Sequence, residues 1–256
     1  MRTAIDGCGM TTIPAGTIAK WSDHSGKDSC TGGWWTPQKL EWYERAAQCS
    51  DFHERLAAEV TSLIPQSKSI LEVGCGLGYM TRALSSMGYD VFGIDNDAAA
   101  IDKALGLSCT AGEEAPRFAM EDYRTSERKA DVVLAVFCGR IDEEGLGYFE
   151  RLAGERIIYI VSKHRFNNLR QDRSLEICRY LEQSGHRFSH KELTLRFDQP
   201  LLSLEEASLF FDIQHGNEEL KAVPSDGPYP YVFENEKRMT LFDIETKGKQ
   251  KLPKEA

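Results

Sequence analysis

The chain has 256 residues, a formal net charge of −9 at pH 7 and 41% hydrophobic residues. This length suits one large core with extensions better than two independent domains. The acidic balance argues against charge-driven binding to nucleic acid or anionic membrane, which requires a concentrated basic surface. The first residues lack the apolar segment of a signal peptide, and the apolar runs are too short to span a bilayer. We therefore expect a cytoplasmic protein with no membrane segment and no nucleic-acid partner.

The cysteines give no sign of a disulfide framework or a metal centre. There are seven, an odd number, and they are scattered without a C-x-x-C pair. Cys49 and His53 stand four residues apart, and with Cys30 and His24 they come nearest to a zinc-ligand set. Because these four residues come from three unrelated local contexts and no pair has a compact metal-knuckle spacing, we predict no metal site. The oligomeric state is not indicated by the sequence.

Residues 1–35 are rich in small polar residues and show no helical or strand period. They nevertheless contain Trp21, His24, Trp34 and Trp35. Two interpretations remain open. These side chains either form part of a lid over a ligand-binding crevice, or they anchor the segment to the outer surface of the domain.

Two helices are predicted before the first strand. Thr36 is a suitable N-cap with Pro37 in the first turn, and Asp51 is the predicted N-cap of the second helix. The apolar positions at helical spacing are Leu40, Tyr43, Ala46 and Ala47 in the first helix and Phe52, Leu56, Val60 and Leu63 in the second. Tyr43 is either a core residue or part of a ligand pocket.

Residues 70–81, ILEVGCGLGYMT, predict a buried strand, a glycine turn and the start of a helix. Gly74, Gly76 and Gly78 lack the Cβ atoms that would keep a ligand away from the backbone. The first N–H groups of the following helix point towards the same crevice. The spacing is G-x-G-x-G, whereas dinucleotide sites use G-x-G-x-x-G, and Tyr79 stands where that fingerprint ends.

A second predicted strand, residues 91–95, ends in Asp95, whose carboxylate can accept hydrogen bonds from a ribose diol. The run ExGxGxG at 72–78, followed by GIDND at 93–97, resembles the first two motifs of the Rossmann-like (class I) S-adenosylmethionine-dependent methyltransferases. The resemblance extends over roughly residues 68–245. It implies an α/β fold with a seven-stranded, mostly parallel sheet, helices on both faces and an antiparallel last strand.

The resemblance also implies a set of contacts to S-adenosylmethionine. It places the cofactor on the glycine turn, its ribose at Asp95, and its adenine amino group near an acid that follows the third strand, residues 116–120. We assign that acid to Glu121 or Asp122. The rival pair at residues 113–114 has no strand directly ahead of it. The predicted cofactor contacts are Glu72, Gly74, Cys75, Gly76, Gly78, Asp95, Asn96, Glu121, Asp122 and Phe137.

The fourth predicted strand, residues 131–137, ends on the side that the resemblance assigns to the methyl donor. Cys138 follows it and is either a pocket residue or a small core residue. The Asn-Pro-Pro-Tyr-like motif that some relatives use for amino groups of bases or glutamine is not present here. This departure argues against methylation of adenine or glutamine.

A basic cluster follows the fifth predicted strand, residues 157–161. It either binds a carboxylate or phosphate of the acceptor or forms a solvated face; its members are Lys163, His164, Arg165, Arg170 and Arg173. The predicted acceptor contacts are Trp34, Trp35, Cys138, Arg140 and Arg165, and the candidate bases are His164, Tyr43 and His24.

The C-terminal third predicts a helix at 174–184, a strand at 191–197, a helix opened by a capping box of Ser203 and Glu206, and a last strand at 238–244. We divide the chain into an N-terminal lid and helical extension (1–66), a methyltransferase core (67–246) and a disordered basic tail (247–256).

The function implied by the resemblance is in-line transfer of a methyl group from S-adenosylmethionine to a small molecule. The alternative is a non-catalytic S-adenosylmethionine-binding or partner-regulating protein of the same fold. A dinucleotide-dependent oxidoreductase is opposed by the glycine spacing and by the closing pair of strands. The sequence does not identify the acceptor or its reacting atom.

Overall fold

The computed structural model describes residues 34–107, 117–163, 173–214 and 221–249. Its strands are β1 (Ser69–Val73), β2 (Asp90–Asp95), β3 (Arg117–Met120), β4 (Ala130–Val136), β5 (Ala153–Ser162), β6 (Phe188–Arg196), β7 (Gln199–Leu201), β8 (Val223–Pro224), β9 (Tyr231–Phe233) and β10 (Glu236–Glu245). Its helices are α1 (Pro37–Gln48), α2 (Phe52–Thr61), α3 (Tyr79–Ser86), α4 (Ala98–Gly106), α5 (Glu143–Leu152), α6 (Arg173–Gln183) and α7 (Leu204–Gln214).

Seven strands form the main sheet in the order β3-β2-β1-β4-β5-β10-β6. Neighbouring strands from β3 to β5 pair in parallel, whereas β10 runs antiparallel to both β5 and β6. The predicted seven-stranded, mostly parallel sheet with an antiparallel last strand is confirmed. The carboxyl ends of β1, β2, β3 and β4 therefore meet at one edge, where ligands bind in open α/β sheets.

Helices cover the sheet on both faces. Leu56 of α2 and Leu84 of α3 belong to one buried cluster, which also includes Ile70 of β1. Phe149 of α5 and Leu181 of α6 belong to a second cluster with the opposite side chains of the same strands. Burial on both faces explains why the central strands read as continuous apolar runs in the sequence.

The N-terminal ends of the helices follow the predicted caps with one exception. The Thr36 hydroxyl accepts a hydrogen bond from the Lys39 backbone N–H at 3.3 Å, as an N-cap should. Asp51 occupies the cap position of α2, but its side chain makes no capping bond. Its backbone has φ −94° and ψ 19°, outside the extended conformation in which a cap side chain reaches the first helical N–H groups.

The capping box of α7 forms only in part. The Ser203 hydroxyl accepts from the Glu206 N–H at 3.1 Å, but the Glu206 carboxylate does not return to Ser203. It accepts instead from Trp42 Nε1 at 3.0 Å, from Arg45 Nη1 at 2.9 Å and from the Leu202 N–H. The Arg45 guanidinium is buried, and a buried charge without a partner costs more free energy than an uncapped helix end. The carboxylate therefore pairs with Arg45. Glu206 thus joins α1 to α7.

The segment between β6 and β10 contains a small sheet that is not predicted from the sequence. Its strands lie in the order β7-β9-β8, and a buried cluster of Trp42, Leu201, Ala207, Phe210 and Phe233 packs it and α7 against α1. At the C-terminal end Thr246 is buried, and Lys247–Lys249 form a 3-10 turn. The remainder of the predicted tail lies outside the described residues.

Candidate cofactor site at the glycine turn

The turn after β1 uses left-handed backbone at all three glycines, with φ +68° at Gly74, +53° at Gly76 and +75° at Gly78. A Cβ at Gly74 would lie 2.3 Å from Cys138 Sγ, and one at Gly78 would lie 2.5 Å from the Phe118 ring. The turn therefore needs glycine for its backbone angles and for its close neighbours. Phe118 was not among the predicted site residues.

Asp95 at the end of β2 faces this turn. Its Oδ2 atom accepts from the Gly76 N–H at 2.8 Å, and its Oδ1 atom accepts from the Asp97 N–H at 2.9 Å. The residue is 8% exposed, and burial raises the pKa of its carboxyl. Each carboxylate oxygen of Asp95 keeps a further lone pair. The carboxylate can therefore still accept hydrogen bonds from the two hydroxyl groups of a ribose. The next residue, Asn96, is exposed beside it.

Glu72 of β1 lies beneath the turn and is 2% exposed. Burial, reinforced by the charge of Asp95, raises the pKa of Glu72 to about 8. The Thr81 hydroxyl donates to its carboxyl group. Cys75 is also buried, and burial raises the pKa of its thiol. Glu72 and Cys75 therefore support the turn from within the core.

The two acids predicted near the adenine group follow β3 as expected, but each already has a cation. Glu121 pairs with Arg128 at 2.6 Å, and Asp122 pairs with Arg124 at 2.6 Å. These guanidinium groups lower the pKa values of both carboxyl groups. The Glu121 N–H donates to the Asp95 carbonyl at 2.9 Å, which places the start of this loop beside the end of β2. Residues 113–114, the rival assignment, lie outside the described residues.

The three predicted site residues that follow β4 have different surroundings. Phe137 has φ 54°, rare for a side chain of this size, and is 46% exposed. Cys138 packs on Gly74, and burial raises the pKa of Cys138 to about 12, so the thiol stays protonated. Arg140 pairs with Asp142 at 2.7 Å and lines a groove of about 270 Å³ beside α6, on which Arg173 also lies.

Of the two adjacent tryptophans, Trp35 lies at the turn. A Cβ at Gly76 would be 3.0 Å from the Trp35 ring, and the Trp35 N–H donates to Asp97 Oδ2 at 3.4 Å. The Trp34 side chain is exposed, with the Lys39 ammonium 4.2 Å from its ring centroid. The structure therefore brings Trp35 to the glycine turn and gives Trp34 a surface position.

Tyr43 and His53 form a hydrogen-bonded pair next to Trp35. The Tyr43 hydroxyl lies 2.8 Å from His53 Nε2, and the Tyr43 and Trp35 rings meet edge-on at 5.3 Å. Burial lowers the pKa of His53 to about 4, and burial together with the Glu72 charge raises the pKa of Tyr43. Both groups are therefore neutral near pH 7. From the sequence, His53 was considered only as a metal ligand, although a histidine within the apolar stripe of α2 was a signal for burial.

Several predicted site residues lie outside the described residues: His24, His164, Arg165 and the other residues of 1–33 and 164–172. Their roles stay predictions. Within the part of the chain that the structure describes, no group of three or more His, Cys, Asp or Glu side chains is arranged to hold a metal ion. No helix in that part combines the length and apolar character required to cross a bilayer.

Residues 42–140 match the family model described as a methyltransferase domain. The match shows what this segment is similar to. The matched segment contains the glycine turn, Asp95 and Cys138, so the predicted cofactor motifs lie within it. A comparison with curated proteins gives no match.

Solved structures with this fold include the YcgJ protein from Bacillus subtilis, with a TM-score of 0.50 and 11% identity, covering 76% of this chain and 98% of that chain. A weaker similarity, with a TM-score of 0.47 and 17% identity, is to magnesium protoporphyrin IX methyltransferase from Synechocystis PCC 6803 with bound S-adenosylmethionine, covering 83% of this chain and 86% of that chain. At these identities the similarity concerns the fold. The predicted resemblance to Rossmann-like methyltransferases is confirmed.

Proposed function

We propose that this methyltransferase binds S-adenosylmethionine at the glycine turn and transfers the methyl group to a small molecule. The observation that carries the proposal is the Asp95 carboxylate, held by the Gly76 and Asp97 N–H groups at the carboxyl end of β2. This arrangement puts a hydrogen-bond acceptor for a ribose beside a turn in which three of five residues are glycine. The acidic charge of the chain supports a small acceptor over nucleic acid.

The proposed contacts follow the order of the strands. The turn at residues 74–78 holds the methionine part of the cofactor, Asp95 and Asn96 contact the ribose, and Glu121 or Asp122 lies nearest the adenine. Phe137 provides an apolar side chain at the end of β4, and Cys138 borders the methyl-donor side. When bound, S-adenosylmethionine supplies a methyl group on a positively charged sulfur, which is the electrophile of the reaction.

The protein's contribution to the rate is placement of the acceptor in line with that methyl group and exclusion of water. The lowered pKa of His53, about 4, makes its neutral imidazole a weak proton acceptor, and the raised pKa of Tyr43 keeps its hydroxyl protonated, so neither is an effective base near pH 7. We infer that the acceptor reacts through an atom that is already nucleophilic when bound. His164 and His24 remain the candidate bases for an acceptor that must lose a proton, and residues 1–35 remain a predicted lid.

Calorimetric titration with S-adenosylmethionine, S-adenosylhomocysteine and NAD tests the cofactor assignment. We expect the first two ligands to bind and NAD not to bind. Gly76→Val should abolish binding, because a branched residue is strained at φ +53° and its side chain would press on the Trp35 ring at the turn. Gly185→Val is the matched control, since Gly185 also has positive φ (+71°) but no atom lies within 4 Å of the point that its Cβ would occupy.

Binding of NAD without S-adenosylmethionine would contradict the proposal. Turnover is measured separately, as S-adenosylhomocysteine formed in mixtures of small acids, phenols, thiols and amines. Tight cofactor binding without product from any of these acceptor classes would favour the non-catalytic alternative.

A further inference from the structure

Lys237 is a lysine without an acidic partner near the start of β10. Its side chain is half-buried, and no described residue offers Lys237 Nζ an ion pair or a hydrogen bond. Its ammonium faces the Phe197 ring, whose centroid lies 6.0 Å from Nζ. The other lysine within the strands of this sheet, Lys191 of β6, is paired with Glu59.

An unpaired ammonium in such a position is unfavourable for the folded protein. Partial removal from water disfavours the charged form, and burial lowers the pKa of Lys237. A cation above an aromatic ring recovers only part of that loss. An apolar side chain at this position would therefore make the folded protein more stable. The presence of a lysine there instead points to a ligand that supplies the missing negative charge.

The position of Lys237 is at the edge of the sheet where the parallel strands end. The Lys163 N–H, just after β5, donates to the carbonyl of Arg238 at 2.8 Å, so the start of β10 lies beside the carboxyl end of β5. This is the edge at which β1 and β2 present the glycine turn and Asp95. Lys237 therefore lies at the same edge of the sheet as the proposed cofactor site.

Aromatic rings connect Lys237 to the glycine turn. Phe197 contacts Tyr43 at 5.4 Å between ring centroids, Tyr43 contacts Trp35 at 5.3 Å, and Trp35 lies on Gly76. These rings form a wall of aromatic side chains in which Tyr43 and Trp35 are half-buried and Phe197 is 8% exposed, with angles of 56° and 78° between neighbouring ring planes. Such a wall favours a planar ligand, because offset and edge-on ring contacts add to the area that is buried.

We propose that Lys237 binds the carboxylate of an aromatic acid whose ring packs on the wall of Phe197, Tyr43 and Trp35, so that the acceptor of this enzyme is an aromatic carboxylic acid. The proposal rests on the proposed function for the neighbouring cofactor, and it names the substrate class of that same site. Tyr43, held in place by His53, then supplies the polar contact of an otherwise apolar wall.

Benzoate is the probe, with benzamide as its neutral counterpart of the same shape. The full chain is titrated with each compound, with and without saturating S-adenosylhomocysteine. We expect saturable benzoate binding at least tenfold tighter than that of benzamide, and loss of this preference in Lys237→Gln. Lys191→Gln, on the adjacent strand, should keep the preference because its ammonium is already paired with Glu59.

A second measurement does not depend on any ligand. Lys237→Met should unfold at a higher urea concentration than the wild type, because it removes a half-buried charge without a partner, whereas a merely structural lysine would lose stability on the same change. Equal binding of benzoate and benzamide to the wild type would overturn the proposal, and so would an unchanged preference in Lys237→Gln.

The affinity for S-adenosylmethionine separates this proposal from the proposed function. It should be the same in the wild type and in Lys237→Gln. Loss of that affinity in the variant would assign Lys237 to the cofactor and refute the acceptor role. No affinity in the wild type would refute the proposed function, while the benzoate and stability measurements would still decide whether Lys237 binds an aromatic acid.

Discussion

Replacing Asp95 with asparagine should weaken S-adenosylmethionine binding while leaving β2 in place. Both carboxylate oxygens accept backbone N–H groups, from Gly76 at 2.8 Å and from Asp97 at 2.9 Å. The asparagine side chain keeps one oxygen that can accept from a backbone N–H. Its NH₂ group faces the second backbone N–H, so two donors oppose each other. Hydrogen bonds to a charged group contribute about 1.5–3 kcal/mol. Loss of one such bond to the ribose corresponds to a Kd increase of roughly 10- to 150-fold.

The affinities of the wild type, Asp95→Asn and a control variant are measured by calorimetric titration in one buffer. Urea unfolding of the same proteins is run in parallel. Asp90→Asn is the control, because Asp90 begins the same strand, is exposed and pairs with Arg117 away from the turn. We expect unchanged affinity for the control and, for Asp95→Asn, an additional loss of about 1–3 kcal/mol in unfolding free energy from the opposed N–H group. Wild-type affinity in Asp95→Asn would refute the ribose assignment.

Gly78→Ala should destabilise the fold by about 1–3 kcal/mol, since φ is +75° and the new Cβ would lie 2.5 Å from the Phe118 ring; an unchanged urea midpoint would contradict this. The pKa of Glu72 is raised from 4.5 to about 8, so the native state holds more protons than the unfolded state and the unfolding free energy should fall as pH rises from 4.5 towards 8. Glu72→Gln should flatten that fall, which denaturation at pH 6.5 and 8 measures. Glu206→Ala should lower the unfolding free energy by about 1.5–3 kcal/mol, because buried Arg45 keeps Glu41 but loses this charged hydrogen-bond partner; a loss below about 1 kcal/mol in urea unfolding would show that the pair contributes little.

The central strands could be predicted from the sequence because each is a continuous apolar run bounded by turn residues. The small sheet of β7, β8 and β9 could not. Its strands have three, two and three residues, too few for any period to show. They form because α7 and Trp42 of α1 bury one side of them, and Trp42 and Leu201 are brought together only by the tertiary fold.

The same distinction applies to the site. The glycine turn and Asp95 were predicted because each is a local pattern at a strand end. The contact between Trp35 and the turn depends on segments far apart in sequence, as its hydrogen bond to Asp97 across 62 positions shows. The pairing of Tyr43 with His53 required the angle between α1 and α2, and no spacing in the sequence reports that angle.

The place of β10 in the sheet has a consequence for how the chain folds. β6 is synthesised before β10, yet its backbone pairs with β10, which lies between β5 and β6. Until residues 236–245 leave the ribosome, β6 has no strand to join, and the outer edge of β5 carries unpaired N–H and C=O groups. Closure of the sheet should therefore be a late event that joins residues distant in sequence, which is slow and exposes a strand edge to other chains. A protein shortened before β10 would lose two strands from the sheet and not one, so a premature stop near residue 235 should yield an aggregating product, and not a smaller enzyme.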